Sequence, residues 1–107
     1  MMTVFELIND SLSTLNIPIA RSVYKGKAKA YIVVSIYRQV EVGYDNTAEL
    51  EKSSLRINYW HSENEPDLSK QIRFLLGGKG FRFINSMDLH DEGFHGTSMN
   101  FEVTLNI

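Results

Sequence analysis

The chain has 107 residues, 43% hydrophobic and 11% aromatic, with eleven basic against thirteen acidic side chains and a formal charge of −2. That length supports one modest core, and the near balance of charge argues against a protein whose main task is wrapping nucleic acid. No cysteine is present, which excludes disulfides, thiol catalysis and cysteine-ligated zinc.

Thr3 and Glu6 have the spacing of a capping box, and Val4, Phe5, Ile8, Leu12 and Leu15 form one helical stripe. Glu6 and Asp10 interrupt the apolar residues and no basic start precedes them, so the segment does not read as a secretory signal. No apolar run approaches the ~20 residues that span a bilayer, and a soluble protein made in a cytoplasm is expected. The helix should end near Asn16, because Pro18 disfavours helical geometry at Ile17.

Ile19 to Tyr24 reads as a short strand, followed by the basic turn Lys25-Gly26-Lys27-Ala28-Lys29. Ala30 to Val40 is the longest strand candidate, with Ile32, Val34 and Ile36 on one side and Tyr31, Val33, Ser35 and Tyr37 on the other. Glu41 to Glu51 is an acidic loop or hairpin tip with Gly43 and Asn46 as turn residues.

Leu55, Ile57 and Tyr59 then alternate with Arg56, Asn58 and Trp60, a strand with two distinct faces. Pro66 and Asp67 open a second helix carrying Leu68, Ile72, Leu75 and Leu76, and Gly77-Gly78 end it with a left-handed glycine cap. Gly80-Phe81-Arg82-Phe83 starts the next strand, and Leu89 to Gly96 reads as a loop. Met99, Phe101, Val103, Leu105 and Ile107 alternate with polar residues in the cleanest strand signal of the chain.

The order predicts a single α+β domain over residues 1–107: a four- to five-stranded, mostly antiparallel sheet with two helices packed on one face. The other face, bearing Tyr31, Tyr37 and Trp60, is left for solvent or a partner.

Chemistry is sparse. His90-Asp91-Glu92 with His95, and His61 elsewhere in the chain, form the strongest metal candidate, but no helical His-x-x-x-His spacing is present. A polar loop is the plainer reading, so no metal and no cofactor are expected. The serines sit in caps, turns and strands without a Gly-x-Ser-x-Gly elbow, and the paired acids of the loops read as solvated. Gly77-Gly78-Lys79-Gly80 follows a helix rather than preceding one, so no helix N-terminus aims amides at a phosphate. No catalytic residue emerges, and the chain reads as a non-enzyme.

Lys25, Lys27 and Lys29 could touch an acidic partner or a phosphate backbone, against the plainer reading of a solvated turn. Tyr31, Tyr37 and Trp60 suit core, subunit contact or base stacking. Together with Tyr44 and Asp45 of the acidic stretch, these eight residues are the candidate contact set.

Several stretches together resemble the small tail-completion or tail-terminator proteins of long-tailed bacteriophages, and the related head–tail joining proteins. They are Leu15-Asn16-Ile17-Pro18-Ile19 after the first helix, the Tyr24-Lys25-Gly26 turn before Tyr31-Ile32-Val33-Val34, Leu55 to Trp60, Gly80-Phe81, and Gly93-Phe94-His95 before Phe101-Glu102-Val103. The likeness extends over essentially the whole chain. It implies an α+β structural protein of the virion tail or neck, made in the host cytoplasm, that assembles into homo-oligomeric rings, commonly hexamers. Such rings cap the tail tube and meet the head connector, with no membrane and no specific nucleic acid as partner. Tail-end, head-side and neck roles all stay open. The acidic stretch and the lysine turn would form a complementary pair between subunits or against the tube. The alternative is a small nucleic-acid-binding module built on the lysine turn and the aromatics.

Overall fold

The computed structural model describes residues 3–44 and 47–106. Helix α1 (Val4–Ser11) opens with the expected capping box: Thr3 Oγ1 accepts from the Glu6 amide, and the Glu6 carboxylate accepts from the Thr3 amide. These bonds hold the Glu6 carboxyl below its ordinary range. A 3-10 turn (Ser13–Leu15) follows and ends on Asn16 in the left-handed conformation, φ 57°. The strands are β1 (Ile19–Arg21), β2 (Ala30–Tyr44), β3 (Thr47–Ser62), β4 (Arg82–Asp91) and β5 (Phe94–Asn106), with α2 (Ser69–Gly77) between β3 and β4.

They form one mixed sheet in the order β1-β2-β3-β5-β4. Every neighbouring pair is antiparallel except β1 with β2. Residues Ile32, Val34, Leu55, Ile57, Tyr59, Met99, Phe101 and Val103 share one face and meet Val4 and Ile8 from α1, Leu12 at its C-cap, Ile72 and Leu76 from α2, and Phe81. Phe101 lies at the centre, with Phe81 and Phe83 packed edge-on at 6.4 and 5.6 Å between ring centroids. The expected architecture, two helices on one face of a five-stranded sheet, is the one observed.

The details differ at four places. Strand β1 stops at Arg21: the Ser22 amide still donates to Val34 O, but Ser22 turns to φ 70° and takes the chain out of the sheet. Helix α2 begins at Ser69, with Asp67 Oδ1 accepting from the Ser69 amide. Gly78 at the end of α2 is right-handed, φ −67°, and the left-handed residue is Gly80. The expected loop Leu89–Gly96 is a tight hairpin in which Asp91 pairs with Phe94 around Glu92-Gly93, the glycine at φ 82°.

The acidic stretch Glu41–Glu51 likewise continues β2 and β3 as a paired ribbon, from Glu41 opposite Glu51 to Tyr44 opposite Thr47. Because β2 and β3 have 15 and 16 residues, the molecule is long, 53 × 25 × 23 Å. The ribbon end of the sheet extends past β4, whose pairing with β5 runs only as far as Arg82 opposite Glu102.

Candidate functional site

The face opposite the helices carries Tyr31, Tyr37 and Trp60 of the contact set read from the sequence. Tyr31 stands opposite Trp60, which stands opposite Gly96. Tyr24 folds back from the lysine turn to stack on Tyr31 at 4.3 Å, and its hydroxyl accepts from the Ala28 amide. Phe94 closes on Tyr31 from the other side at 6.0 Å. Burial first, then Asp91 and Tyr24, push the Tyr31 phenol above its ordinary range. These aromatics are half-buried against one another. The faces that would stack bases are thus already engaged within the protein.

Tyr37 is different. It sits in the bulge between Ile36 and Arg38, 56% exposed, with the Arg56 guanidinium 5.5 Å from its ring. From Arg56 a polar strip crosses the sheet: Arg56 donates to Asn100, and Asn100 donates to Asn85. Beyond it, Glu102 receives Lys52 at 2.8 Å and faces Arg82 at 3.9 Å, and the lysine bond holds its carboxyl below the ordinary range. These are surface interactions that suit water.

Lys25, Lys27 and Lys29 are all exposed, and none forms an ion pair among the described residues. Tyr44 closes β2, but its side chain and the whole of Asp45 lie outside the described residues. The lysine turn precedes the first residue of β2 and Tyr44 is the last. At ~3.3 Å per residue the two ends stand about 46 Å apart, so the basic turn and the acidic ribbon do not pair within one chain.

Sequence reading missed the two edges of the sheet. On one side β1 covers β2 only from Ile32 to Val34, so from Ser35 onward β2 has no outer neighbour among the described residues. On the other side β4 is an edge along its whole length. Each edge carries a bulge, between Ile36 and Arg38 in β2 and between Phe83 and Asn85 in β4, and the pairing of β2 with β3 shifts again between Val42 and Gly43; beyond the first bulge neither edge has a Lys or Pro. Val40 and Val42 on β2 and Met87 on β4 all project from the open face, 37%, 40% and 63% exposed. Phe74 on α2, 79% exposed, stands between two shallow apolar grooves and was also missed, because its neighbours Ile72, Leu75 and Leu76 take the helix's buried stripe.

The third feature is a row of histidines. The hairpin that replaces the expected loop sets His90 opposite His95, and His95 opposite His61. All three lie on the helix-covered face, at the end where the helices stop. Ring centroids are 5.2 Å apart for His90–His95 and 5.9 Å for His61–His95. A cavity of about 440 Å³ beside them is lined also by Asp67, Asp88, Leu89 and Thr97. The amide and then the hydroxyl of Ser69 hold the Asp67 carboxyl below its ordinary range, with His61 adding a smaller pull. Among the described residues no three such side chains converge in an arrangement that holds a metal ion as they stand.

No family model matches the chain. No curated protein matches it. Among solved structures that do match, one bearing only a serial identifier superposes with a TM-score of 0.59 at 10% sequence identity, over 94% of this chain and 87% of its own. A likeness at that identity speaks for the fold alone.

Proposed function

We propose that this chain is a structural subunit that joins copies of itself edge to edge into a closed ring. The resemblance implies the role: capping a phage tail tube and meeting the head connector. The observation that carries the reading is the pair of open sheet edges. Strands β2 and β4 run in opposite directions, since three antiparallel pairings separate them. The β4 edge of one subunit therefore meets the β2 edge of the next as an antiparallel pair, and Met87, Val40 and Val42 fall on one common face. Such a contact uses two different patches, which is the condition for rings rather than closed dimers.

The lysine turn lies at the opposite end of the sheet from the acidic ribbon and away from these edges, whereas Glu41–Tyr44 of the ribbon is itself the far part of the free β2 edge. The turn suits a contact above or below a ring, with the tube or the connector, better than a contact within it. Tail-end and head-side roles share this architecture.

The test is the native mass of the purified chain by light scattering over a concentration series, with negative-stain images of any large species. A species near six subunits with a ring outline supports the reading. A strict monomer at every concentration removes self-assembly from it. The nucleic-acid alternative requires salt-dependent DNA binding at micromolar protein, and none is expected.

A further inference from the structure

We propose that the row His61–His95–His90 is a binding site for a transition-metal dication of the zinc or nickel type. Three facts point to it. First, the imidazoles occupy directly opposed positions on three adjacent strands, β3, β5 and β4, so the ladder hydrogen bonds fix their backbones side by side. Second, His61 Nδ1 lies 3.0 Å from Ser62 O. A carbonyl only accepts, so Nδ1 carries the proton and the Nε2 lone pair of the neutral ring is free. An imidazole whose second nitrogen donates to a backbone carbonyl is oriented as metal-binding histidines usually are. Third, carboxylates lie within reach: Asp67 and Asp88 line the adjoining cavity, and Glu63 Oε1 stands 3.7 Å from His95 Nε2.

His61 is buried and stacked on Tyr59 at 5.4 Å, so it is the fixed member. His95 and His90 are exposed and turn about their side-chain bonds without disturbing the core. In the proposed complex these two rings rotate until their nitrogens reach a common ion at the ~2.0–2.1 Å that zinc requires; without the ion the three do not converge. Imidazole and carboxylate are the donors that zinc and nickel accept. The plainer role of the row is to close the end of the core. That role needs one stacked ring, His61, and leaves the alignment of the two exposed ones unexplained.

The experiment is calorimetric titration of the full chain, free of any affinity tag, with zinc chloride and separately with nickel chloride at pH 7.5. One saturable site per chain is expected, with His95→Gln weakening it by about tenfold or more. His95 is exposed, so the variant should keep the melting temperature of the parent. In parallel, NMR of the imidazole nitrogens should show His61, His90 and His95 shifting together on zinc addition. No saturable binding up to millimolar metal overturns the proposal. So does equal affinity in His95→Gln, which would place the ion elsewhere. Neither result bears on ring formation, which is read from mass.

Discussion

The indole of Trp60 covers the backbone of Gly96 so closely that a Cβ on Gly96 would stand 2.8 Å from the ring. The two residues oppose each other across β3 and β5, and the missing side chain of one makes the seat of the other. Leu89 closes the far side, 3.1 Å from the same point. Gly96→Ala should therefore displace the indole and cost about 1–3 kcal/mol. Trp60 is the single tryptophan, so its emission reports the change directly while urea unfolding gives the cost. Unaltered emission and stability would mean that the ring shifts freely and that the seat is incidental.

Within the core, ring and hydroxyl contributions separate cleanly. Phe101 is fully buried between Phe81 and Phe83, and Phe101→Ala should cost about 3–5 kcal/mol. Tyr59 is equally buried, but its hydroxyl donates to Pro66 O at 2.9 Å, pinning the segment that leads into α2. Tyr59→Phe keeps the ring and should cost only ~0.5–1.5 kcal/mol, since the exposed Pro66 can regain water. Denaturant midpoints of the two variants should differ accordingly. A Tyr59→Phe loss as large as that of Phe101→Ala would contradict this division.

Three carboxyls, Asp67, Glu6 and Glu102, are held below their ordinary ranges by hydrogen bonds to the Ser69 amide, to Thr3 and to Lys52. Lowered folded-state values mean that the unfolded chain takes up protons first. The stability they contribute is present above the ordinary carboxyl range, about pH 4–4.5, and is lost as pH falls through the lower folded values. Melting temperature should be flat from neutrality down to about pH 5 and fall below it. Asp67→Asn should flatten part of that acid limb while lowering stability at neutral pH. An acid limb identical in the variant would remove Asp67 from it.

Edge pairing makes the assembly sensitive to single charges. Met87→Lys puts an ammonium on the exposed face of β4, a common natural guard against strand addition. It should shift the native mass toward one chain, yet change the melting temperature of that chain little, because surface substitutions usually stay within ~0.5 kcal/mol. Lys27→Glu with Lys29→Glu, away from both edges, should leave the mass of the assembly unchanged. The reverse pattern would move the contact from the edges to the lysine turn.

The fold was legible where periodicity was strict. The alternation of Met99, Phe101 and Val103 and the stripe Val4, Ile8, Leu12 mark the buried faces that the structure contains. The hairpin at Glu92-Gly93 was hidden because Asp91, Glu92 and two histidines give it the polarity of a loop, although an acidic residue before a glycine is a turn signal in its own right. His61 could not be joined to His90 and His95 from sequence, since only the register of β3 with β5 makes them neighbours. The free edges were equally invisible: which strand ends a sheet is decided by topology, and Val40 reads as an ordinary strand residue and Val42 as part of an acidic loop or hairpin tip until that order is known. Tyr31 and Trp60 lie on the expected face, but Tyr24 and Gly96, which engage them, carried no such signal.

The most direct test of edge pairing uses the absence of native cysteine. Val40→Cys and Met87→Cys in one chain place thiols on β2 and β4, three strand spacings (about 14 Å) apart across the sheet and, since Met87 stands in register with Val33, roughly 20 Å apart along it, too far for a disulfide. Any disulfide between them therefore joins two subunits. Mild oxidation should give a ladder in steps of 12.3 kDa that stops at a fixed largest species, while either single variant gives nothing beyond a dimer. A double variant that stays monomeric on oxidation, at concentrations where the parent chain scatters as an assembly, would contradict the pairing of β4 with β2.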